Sequence, residues 1–156
     1  MSDADAMRFA IREAEAGIAA GQTPFGAVIV RGARVVAAAH NAVLKDLDPT
    51  AHAEVNCLRL APGALGAIDL SGGALFSTCE PCPVCLAAIH WAKLDRVVFG
   101  AAIADSQAAG FHELPIPARR FAELGHSPLR VEGGLLREEC AGLFVRWREA
   151  GLSRSY

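Results

Sequence analysis

Apolar positions recur at two spacings along this chain, and the spacing predicts where helices and strands lie. Residues 3–20 carry apolar side chains at near-helical spacing, and Gly21 supplies a stop. Two β-rich runs follow at 25–30 and 34–39. The glycine-containing link over 31–33 predicts that these two strands form a hairpin.

The rest of the chain alternates between predicted helices and strands. A polar loop over 41–48 precedes Thr50, which is predicted to cap a helix that ends near Leu60. The later predicted elements are a strand at 74–77, a helix at 83–92, a strand at 96–100, a short helix near 117–124, a strand near 129–132 and an amphipathic helix over 134–150. This order indicates one sheet between helices, and no linker or repeat interrupts it, which predicts a single domain over residues 1–156.

Composition excludes several classes of protein. With 156 residues and 53% hydrophobic side chains, the chain has enough apolar material to bury a core and is not typical of disordered proteins. No uninterrupted apolar stretch reaches the roughly 18–20 residues that a membrane helix needs. The first residues are acidic and amphipathic, unlike a signal peptide. We therefore expect a cytoplasmic protein without a membrane partner.

The charge of the chain bears on nucleic acid binding. The net charge is −2, and the basic clusters are Arg119-Arg120 and three arginines in the C-terminal tail. Proteins that bind a phosphate backbone usually present a basic face, because release of counterions supplies much of their affinity. The sequence therefore disfavours a long nucleic acid partner.

The cysteines are distributed unevenly. Five is an odd number in a chain without an export signal, which argues against a disulfide framework. Cys57 and Cys140 stand alone, whereas Cys79, Cys82 and Cys85 fall within seven residues. Such a cluster indicates metal or redox chemistry.

Two short segments combine into a candidate metal site. Cys82 and Cys85, three apart at the predicted start of a helix, lie on one face of a helical turn, where the free amides favour thiolate. His52, at the predicted start of another helix, completes three protein ligands, which is the number in a catalytic zinc site with one open position. Glu54, two residues after His52, is expected to face the same pocket without binding the metal.

Each segment alone is ambiguous. A lone C-x-x-C is also typical of redox pairs and of half a structural zinc site, and Cys79 is the local candidate for a fourth ligand. Cys79 falls at a predicted strand end, where packing is its expected role. Together, with proline directly before Cys82, the segments match the H-x-E…P-C-x-x-C pattern of zinc deaminases, which favours catalysis.

The sequence resembles the cytidine deaminase-like superfamily of zinc-dependent deaminases, and within it the guanine deaminase branch. The stretches that carry the resemblance are 24–30, Asn41, 48–55, 79–86, 91–92 and 109–111. The resemblance implies a three-layer α/β/α fold with a central five-stranded mixed sheet, one catalytic Zn²⁺ and a homodimer. It also implies that a zinc hydroxide attacks the amine-bearing carbon while Glu54 delivers protons to the ring nitrogen and the leaving ammonia.

The same resemblance implies residues that contact the substrate. Asn41 matches an asparagine that hydrogen-bonds a purine ring, and Phe25 is a candidate for the pocket wall. Glu113 falls where guanine deaminases place a second acid near the leaving amine, although His112 stands here where one branch has another acid. Tyr156 resembles a terminal tyrosine that closes the active site of its own or the partner subunit. From the residues alone, Asn41 also fits a turn former and Phe25 a core residue. In the same way, Glu113 fits a solvated acid and Tyr156 a frayed terminus.

Three functions remain open from the sequence. The first is deamination of a free nucleobase or similar amino-heterocycle, with guanine to xanthine as the first candidate. The second is deamination of a cytosine- or s-triazine-type base on the same scaffold, because pocket shape sets the substrate. The third is adenosine-to-inosine deamination in transfer RNA, since residues 96–101 and 138–141 resemble that branch.

Overall fold

The computed structural model describes residues 1–155, in which helices cover both faces of one sheet. The elements in chain order are α1 (Asp3–Ala19), β1 (Gly26–Arg31), β2 (Arg34–His40), α2 (Val43–Asp46), α3 (Ala53–Leu65), β3 (Gly73–Cys79), α4 (Pro83–Trp91), β4 (Arg96–Ala101), α5 (Ile103–Ala108), α6 (Ala118–Leu124), β5 (Arg130–Gly133) and α7 (Arg137–Glu149). The order of strands in the sheet is β2-β1-β3-β4-β5.

The sheet is mixed. β1 pairs antiparallel with β2 and with β3, whereas β3–β4 and β4–β5 are parallel pairs. The parallel pairs require crossovers, which α4 and the α5–α6 segment supply. The predicted hairpin and the three-layer α/β/α fold with a five-stranded mixed sheet are confirmed.

Two apolar cores lie on opposite faces of the sheet, because successive side chains of a strand point to opposite sides. On one face, α1 and α7 pack against the strands, with Met7 and Leu143 fully buried. On the other face, α3 and α4 bury Cys57 and Leu86. Within residues 1–155, no helix is both long and apolar enough to cross a membrane. That the whole chain forms one domain stays a prediction.

The helix predicted to begin after Thr50 begins later and runs further. His52 is the N-cap of α3, and the Thr50 hydroxyl instead donates to Oδ1 of Asp48 at 2.7 Å. The helix continues past Pro62 to Leu65 and ends where Gly66 adopts a left-handed conformation (φ 67°). The predicted N-cap and end of this helix were therefore wrong, and the correction places His52 at the helix start.

Two short helices were not predicted. The polar loop over 41–48 contains α2, and the stretch after β4 contains α5. A carboxylate stabilises the start of α5, since the backbone N–H of Ala102 donates to Oδ2 of Asp105 at 2.8 Å. The last helix begins at Arg137 rather than near residue 134, because Leu136 has a positive φ of 50°.

Candidate active site

The three predicted metal ligands lie at the starts of two helices. His52 is the N-cap of α3 and Cys82 is the N-cap of α4, both in extended conformation. Pro83 occupies the first turn of α4, where its missing N–H costs no helical hydrogen bond. Cys85 follows in the same turn. The structure therefore brings the two motifs together by placing two helix N-termini side by side.

The ligand atoms are spaced as a tetrahedral zinc site requires. His52 Nδ1 lies 3.6 Å from Cys82 Sγ and 3.5 Å from Cys85 Sγ, and the two sulfurs are 3.6 Å apart. In a tetrahedral site with Zn–S near 2.3 Å and Zn–N near 2.0–2.1 Å, such atoms lie about 3.6–3.8 Å from one another. The donor set and its spacing therefore fit zinc, with a fourth position left for a water molecule.

The electrostatics of this cluster favour a thiolate. Hydrogen bonding with Cys85, ahead of that with His52, lowers the pKa of Cys82 to about 4. The same contact and burial raise the pKa of Cys85, because the two sulfurs share one proton. Burial acts to lower the pKa of His52, but contact with Cys82 and the charge of Glu54 outweigh it and raise that pKa.

Glu54 lies in the first turn of α3, buried beside the cluster. Its Oε1 accepts a hydrogen bond from the Ser77 hydroxyl at 3.0 Å, and its Oε2 lies 3.5 Å from Cys85 Sγ. Burial raises the pKa of Glu54, because removal from water disfavours the charged carboxylate. A carboxyl group with a raised pKa is suited to both accepting and donating a proton near neutral pH.

A cavity of about 240 Å³ opens beside the cluster. Apart from Cys85, which is buried behind it, all predicted site residues of the described chain line the cavity together with several that were not predicted. The lining consists of Phe25, Asn41, Pro49, His52, Glu54, Cys79, Glu80, Cys82, Pro83, Val84, Phe111, His112, Glu113 and Leu114. Tyr156 lies outside the described residues. The cavity therefore combines two of the predicted metal ligands with three carboxylates, an amide and aromatic rings.

The predicted substrate-binding residues are held in different ways. Asn41 is buried, and its Oδ1 accepts from the backbone N–H of Val43 at 3.0 Å, so it forms a turn as well as facing the cavity. The Phe25 ring meets Phe111 edge-on with centroids 4.9 Å apart, and it contacts Phe144 in the core. Both residues thus combine a structural contact with a position in the cavity wall.

Glu113 lies in the loop between α5 and α6 and is half-buried. Its Oε1 accepts from the Ser106 hydroxyl at 2.9 Å. Burial is the largest influence on its pKa and raises it, against the lowering effect of the Ser106 hydrogen bond. The neighbouring His112 also lines the cavity but is exposed to solvent.

Sequence reasoning missed Ser77, Ser106 and Glu80. Oε1 of Glu80 accepts from the backbone N–H of Ala118 at 2.8 Å, and its Oε2 accepts from that of Ile103 at 3.3 Å. Glu80 therefore ties the starts of α5 and α6 to the segment that carries Cys82. Its place between two cysteines was a visible signal, whereas the two serines have no distinguishing pattern in the sequence.

The remaining cysteines and histidines have other contacts. Among the residues that the structure describes, the group able to hold a metal ion consists of His52, Cys82 and Cys85. Cys57 donates to the carbonyl of Ala27 at 3.2 Å, and burial raises its pKa. His90 Nδ1 lies 2.7 Å from the Ser127 hydroxyl. Cys57 and His90 therefore make contacts outside the cluster of His52, Cys82 and Cys85.

The fold and the donor set define a zinc-dependent deaminase. The family model of the cytidine and deoxycytidylate deaminase zinc-binding region matches residues 1–101, and the chain belongs to this family. The resemblance drawn from the sequence is thereby confirmed.

Two kinds of deaminase are among the proteins that this chain resembles. Over 90 residues, the chain is 47% identical to the guanine deaminase of Bacillus subtilis (strain 168), an alignment that spans 58% of this chain and 58% of that relative. Over 137 residues, it is 35% identical to the tRNA-specific adenosine deaminase of the same organism, covering 88% of this chain and 83% of the relative.

A solved structure of guanine deaminase from Nitrosomonas europaea superimposes with a TM-score of 0.86 at 29% identity, covering 95% of this chain and 85% of that one. These comparisons agree on deamination and differ in the substrate.

Proposed function

We propose that this protein hydrolytically deaminates a free nucleobase or similar amino-heterocycle, with guanine to xanthine as the first candidate reaction. The observation that carries the proposal is the cavity beside the His-Cys-Cys cluster. At about 240 Å³ it is smaller than the roughly 300–1,000 Å³ typical of pockets for drug-sized ligands, a size that fits one heterocyclic base. Its walls combine aromatic rings with three carboxylates and an amide.

In the proposed reaction, His52, Cys82 and Cys85 hold the metal and Glu54 moves the protons. Zinc held by these residues supplies a water of lowered pKa as a nucleophile at neutral pH. Glu54 accepts a proton from the water while the oxygen of the water bonds to the amine-bearing carbon. Glu54 then passes that proton to the ring nitrogen. Glu54 then transfers the second proton of the water to the amine, and the C–N bond breaks to release ammonia.

The other cavity residues would bind the base. The Phe25 and Phe111 rings offer an apolar wall for a flat heterocycle. Asn41 carries both a donor and an acceptor, which suits the edge of a purine. Glu113 would accept a hydrogen bond from the exocyclic amine. Glu54 and Glu113 are thus assigned to proton transfer and amine binding, respectively.

A second candidate is adenosine-to-inosine deamination in transfer RNA. The observation that favours it is the alignment to a tRNA-specific adenosine deaminase over 88% of this chain. The net charge of −2 argues against it, because RNA binding relies on cationic side chains. A cytosine- or s-triazine-type base is the alternative among small substrates.

Ammonia release by the zinc-loaded protein tests the proposal. The panel consists of guanine, guanosine, cytosine, isoguanine, adenine and an amino-s-triazine, with inosine formation in transfer RNA measured in parallel. We expect turnover of guanine and no inosine. If no small base released ammonia and inosine formed in transfer RNA, the second candidate would replace the proposed function. The homodimer and the closing role of Tyr156 remain predictions, and the native mass tests the first.

A further inference from the structure

Two of the three carboxylates that line the cavity, those of Glu54 and Glu113, each accept a hydrogen bond from a buried serine, whereas the third, Glu80, accepts from backbone N–H groups. Ser77 donates to Glu54, and Ser106 donates to Glu113. The two carboxylates differ in their backbone support, since Glu54 lies in a helix of 13 residues whereas Glu113 lies in a loop. A side chain on a loop depends more on its contacts for a fixed position.

Ser106 is well suited to fix Glu113. Its exposed fraction is 0%, so its hydroxyl is removed from water and directed at a carboxylate seven residues further along the chain. The hydrogen bond uses Oε1 of Glu113 and spans 2.9 Å, a normal length for a hydroxyl donating to a carboxylate. A buried hydroxyl that lost this acceptor would have to find another partner.

The helix that carries Ser106 is itself anchored. Asp105, the residue before Ser106, accepts from the Ala102 backbone and from the Arg137 guanidinium, each at 2.8 Å. At the start of the same helix, Glu80 accepts from the Ile103 backbone at 3.3 Å. Ser106 therefore projects from a segment tied to α7 and to the metal-binding segment, whereas Glu113 lies on the connection beyond it.

We propose that Ser106 is a positioning residue for Glu113: it occupies Oε1 and leaves Oε2 to accept a hydrogen bond from the amine of the base. This inference rests on the proposed function, in which Glu113 binds that amine. A carboxylate held on one oxygen meets the amine in one orientation, whereas an untethered glutamate samples several rotamers, most of them directed away from the base.

The experiment combines kinetics with crystallography on the zinc-loaded enzyme. We expect Ser106→Ala to retain zinc and to lower kcat for guanine by about 10- to 100-fold, the loss typical of a hydrogen bond to a charged group. Ser106→Thr retains the hydroxyl and is expected to recover most of the rate. In the Glu113→Ala background, Ser106→Ala should have no further effect on kcat, because the group it positions is gone.

Ile29→Val is the control for a general loss of stability, since it shortens a buried β1 side chain outside the cavity lining and should leave kcat unchanged. Equal losses of kcat from Ser106→Ala in both backgrounds would overturn the inference. Crystal structures of the parent and of Ser106→Ala decide the question without turnover: an unmoved Glu113 carboxylate in the variant would also overturn it. Absence of base deamination by the parent enzyme would refute the proposed function alone.

Discussion

The Ser77 hydroxyl donates to Oε1 of Glu54 across 3.0 Å, and both residues are buried. Ser77 belongs to β3, whereas Glu54 belongs to α3, so the contact joins the central sheet to the first turn of a helix. With Oε1 held in this way, Oε2 lies on the side of Cys85, 3.5 Å from its sulfur. The sheet thus orients the carboxylate that the proposed reaction uses for proton transfer.

Replacing Glu54 by alanine should abolish turnover while retaining the metal. Positioned general acid–base groups typically contribute about 10²- to 10⁴-fold, and we expect a loss of kcat in or above this range. Zinc content, measured by elemental analysis, should stay near that of the parent because Glu54 is not among the three proposed ligands. A variant that kept the parent rate would refute the assigned role.

Removal of the Ser77 hydroxyl should impair the reaction more than the fold. We expect Ser77→Ala to lower kcat by about tenfold, because Oε1 of Glu54 loses its hydrogen-bond donor and the carboxylate is no longer held in one orientation. Thr78→Val is a matched control on the same strand, since the Thr78 hydroxyl accepts from the Gly26 backbone instead. It should lower the melting temperature and spare kcat. Equal kinetic effects from the two variants would indicate a general effect on the strand.

Substitution of the ligands should separate the cysteines into two groups. Cys82→Ala and Cys85→Ala are expected to lose stoichiometric zinc, because two protein ligands are too few for a tightly held catalytic ion. Cys57→Ala and Cys140→Ala should retain it, since both thiols lie in the apolar cores, and burial raises the pKa of Cys140 to about 12. Retention of zinc by the Cys82 variant would contradict the assigned donor set.

Asp3 should contribute to stability at neutral pH and not in acid. Arg96 donates to both Asp3 oxygens and lowers the pKa of that carboxyl mainly through these hydrogen bonds. An acid with a lowered folded-state pKa stabilises the fold above its unfolded pKa, and the effect disappears as pH falls through the folded value. Because Asp3 is half-exposed, we expect Asp3→Asn to lower the free energy of unfolding by only about 0.5–1 kcal/mol at pH 7.

Urea unfolding of the parent and the Asp3→Asn variant tests this pH dependence. The difference in stability should be full above the unfolded pKa of the aspartate and shrink as the pH falls below it, through the lowered folded-state pKa. The exposed Asp46 provides a control variant, Asp46→Asn, with little expected effect in either pH range. A difference that was constant with pH would show that charge pairing is not its source.

The sequence predicted the metal ligands because their relationships are largely local. Cys82 and Cys85 share one helical turn, so their spacing is evident without the fold. His52 and Glu54 are likewise only two residues apart in the sequence. The hydrogen bonds from Ser77 and Ser106 were not predictable in this way. Ser77 reaches Glu54 only because β3 lies under the start of α3, and Ser106 reaches Glu113 from a short helix that the apolar pattern did not reveal.

Helix boundaries were predicted less well than helix existence. Thr50 has the side chain of an N-cap, but its hydroxyl is engaged by Asp48, and the helix starts three residues later. The order of the elements indicated one sheet between helices, and the resemblance to known deaminases added that this sheet is mixed and has five strands. The order of the strands in the sheet was not predicted. Hydrophobic spacing thus located most elements, and tertiary contacts decided where they begin.

The Glu80 carboxylate accepts hydrogen bonds from the backbone at the starts of α5 and α6. These two helix starts are therefore held together by a residue that lies outside the loop between the helices. Exchange of the exposed residues of that loop is therefore expected to leave the segment that carries Cys82 in place. Under the proposed function, substitutions at those exposed positions would alter which heterocycles the cavity accepts without touching the three proposed metal ligands. Libraries confined to the exposed positions 112 and 114–116, with Ser106, Phe111 and Glu113 kept, are accordingly the starting point for changing the substrate under the proposed function.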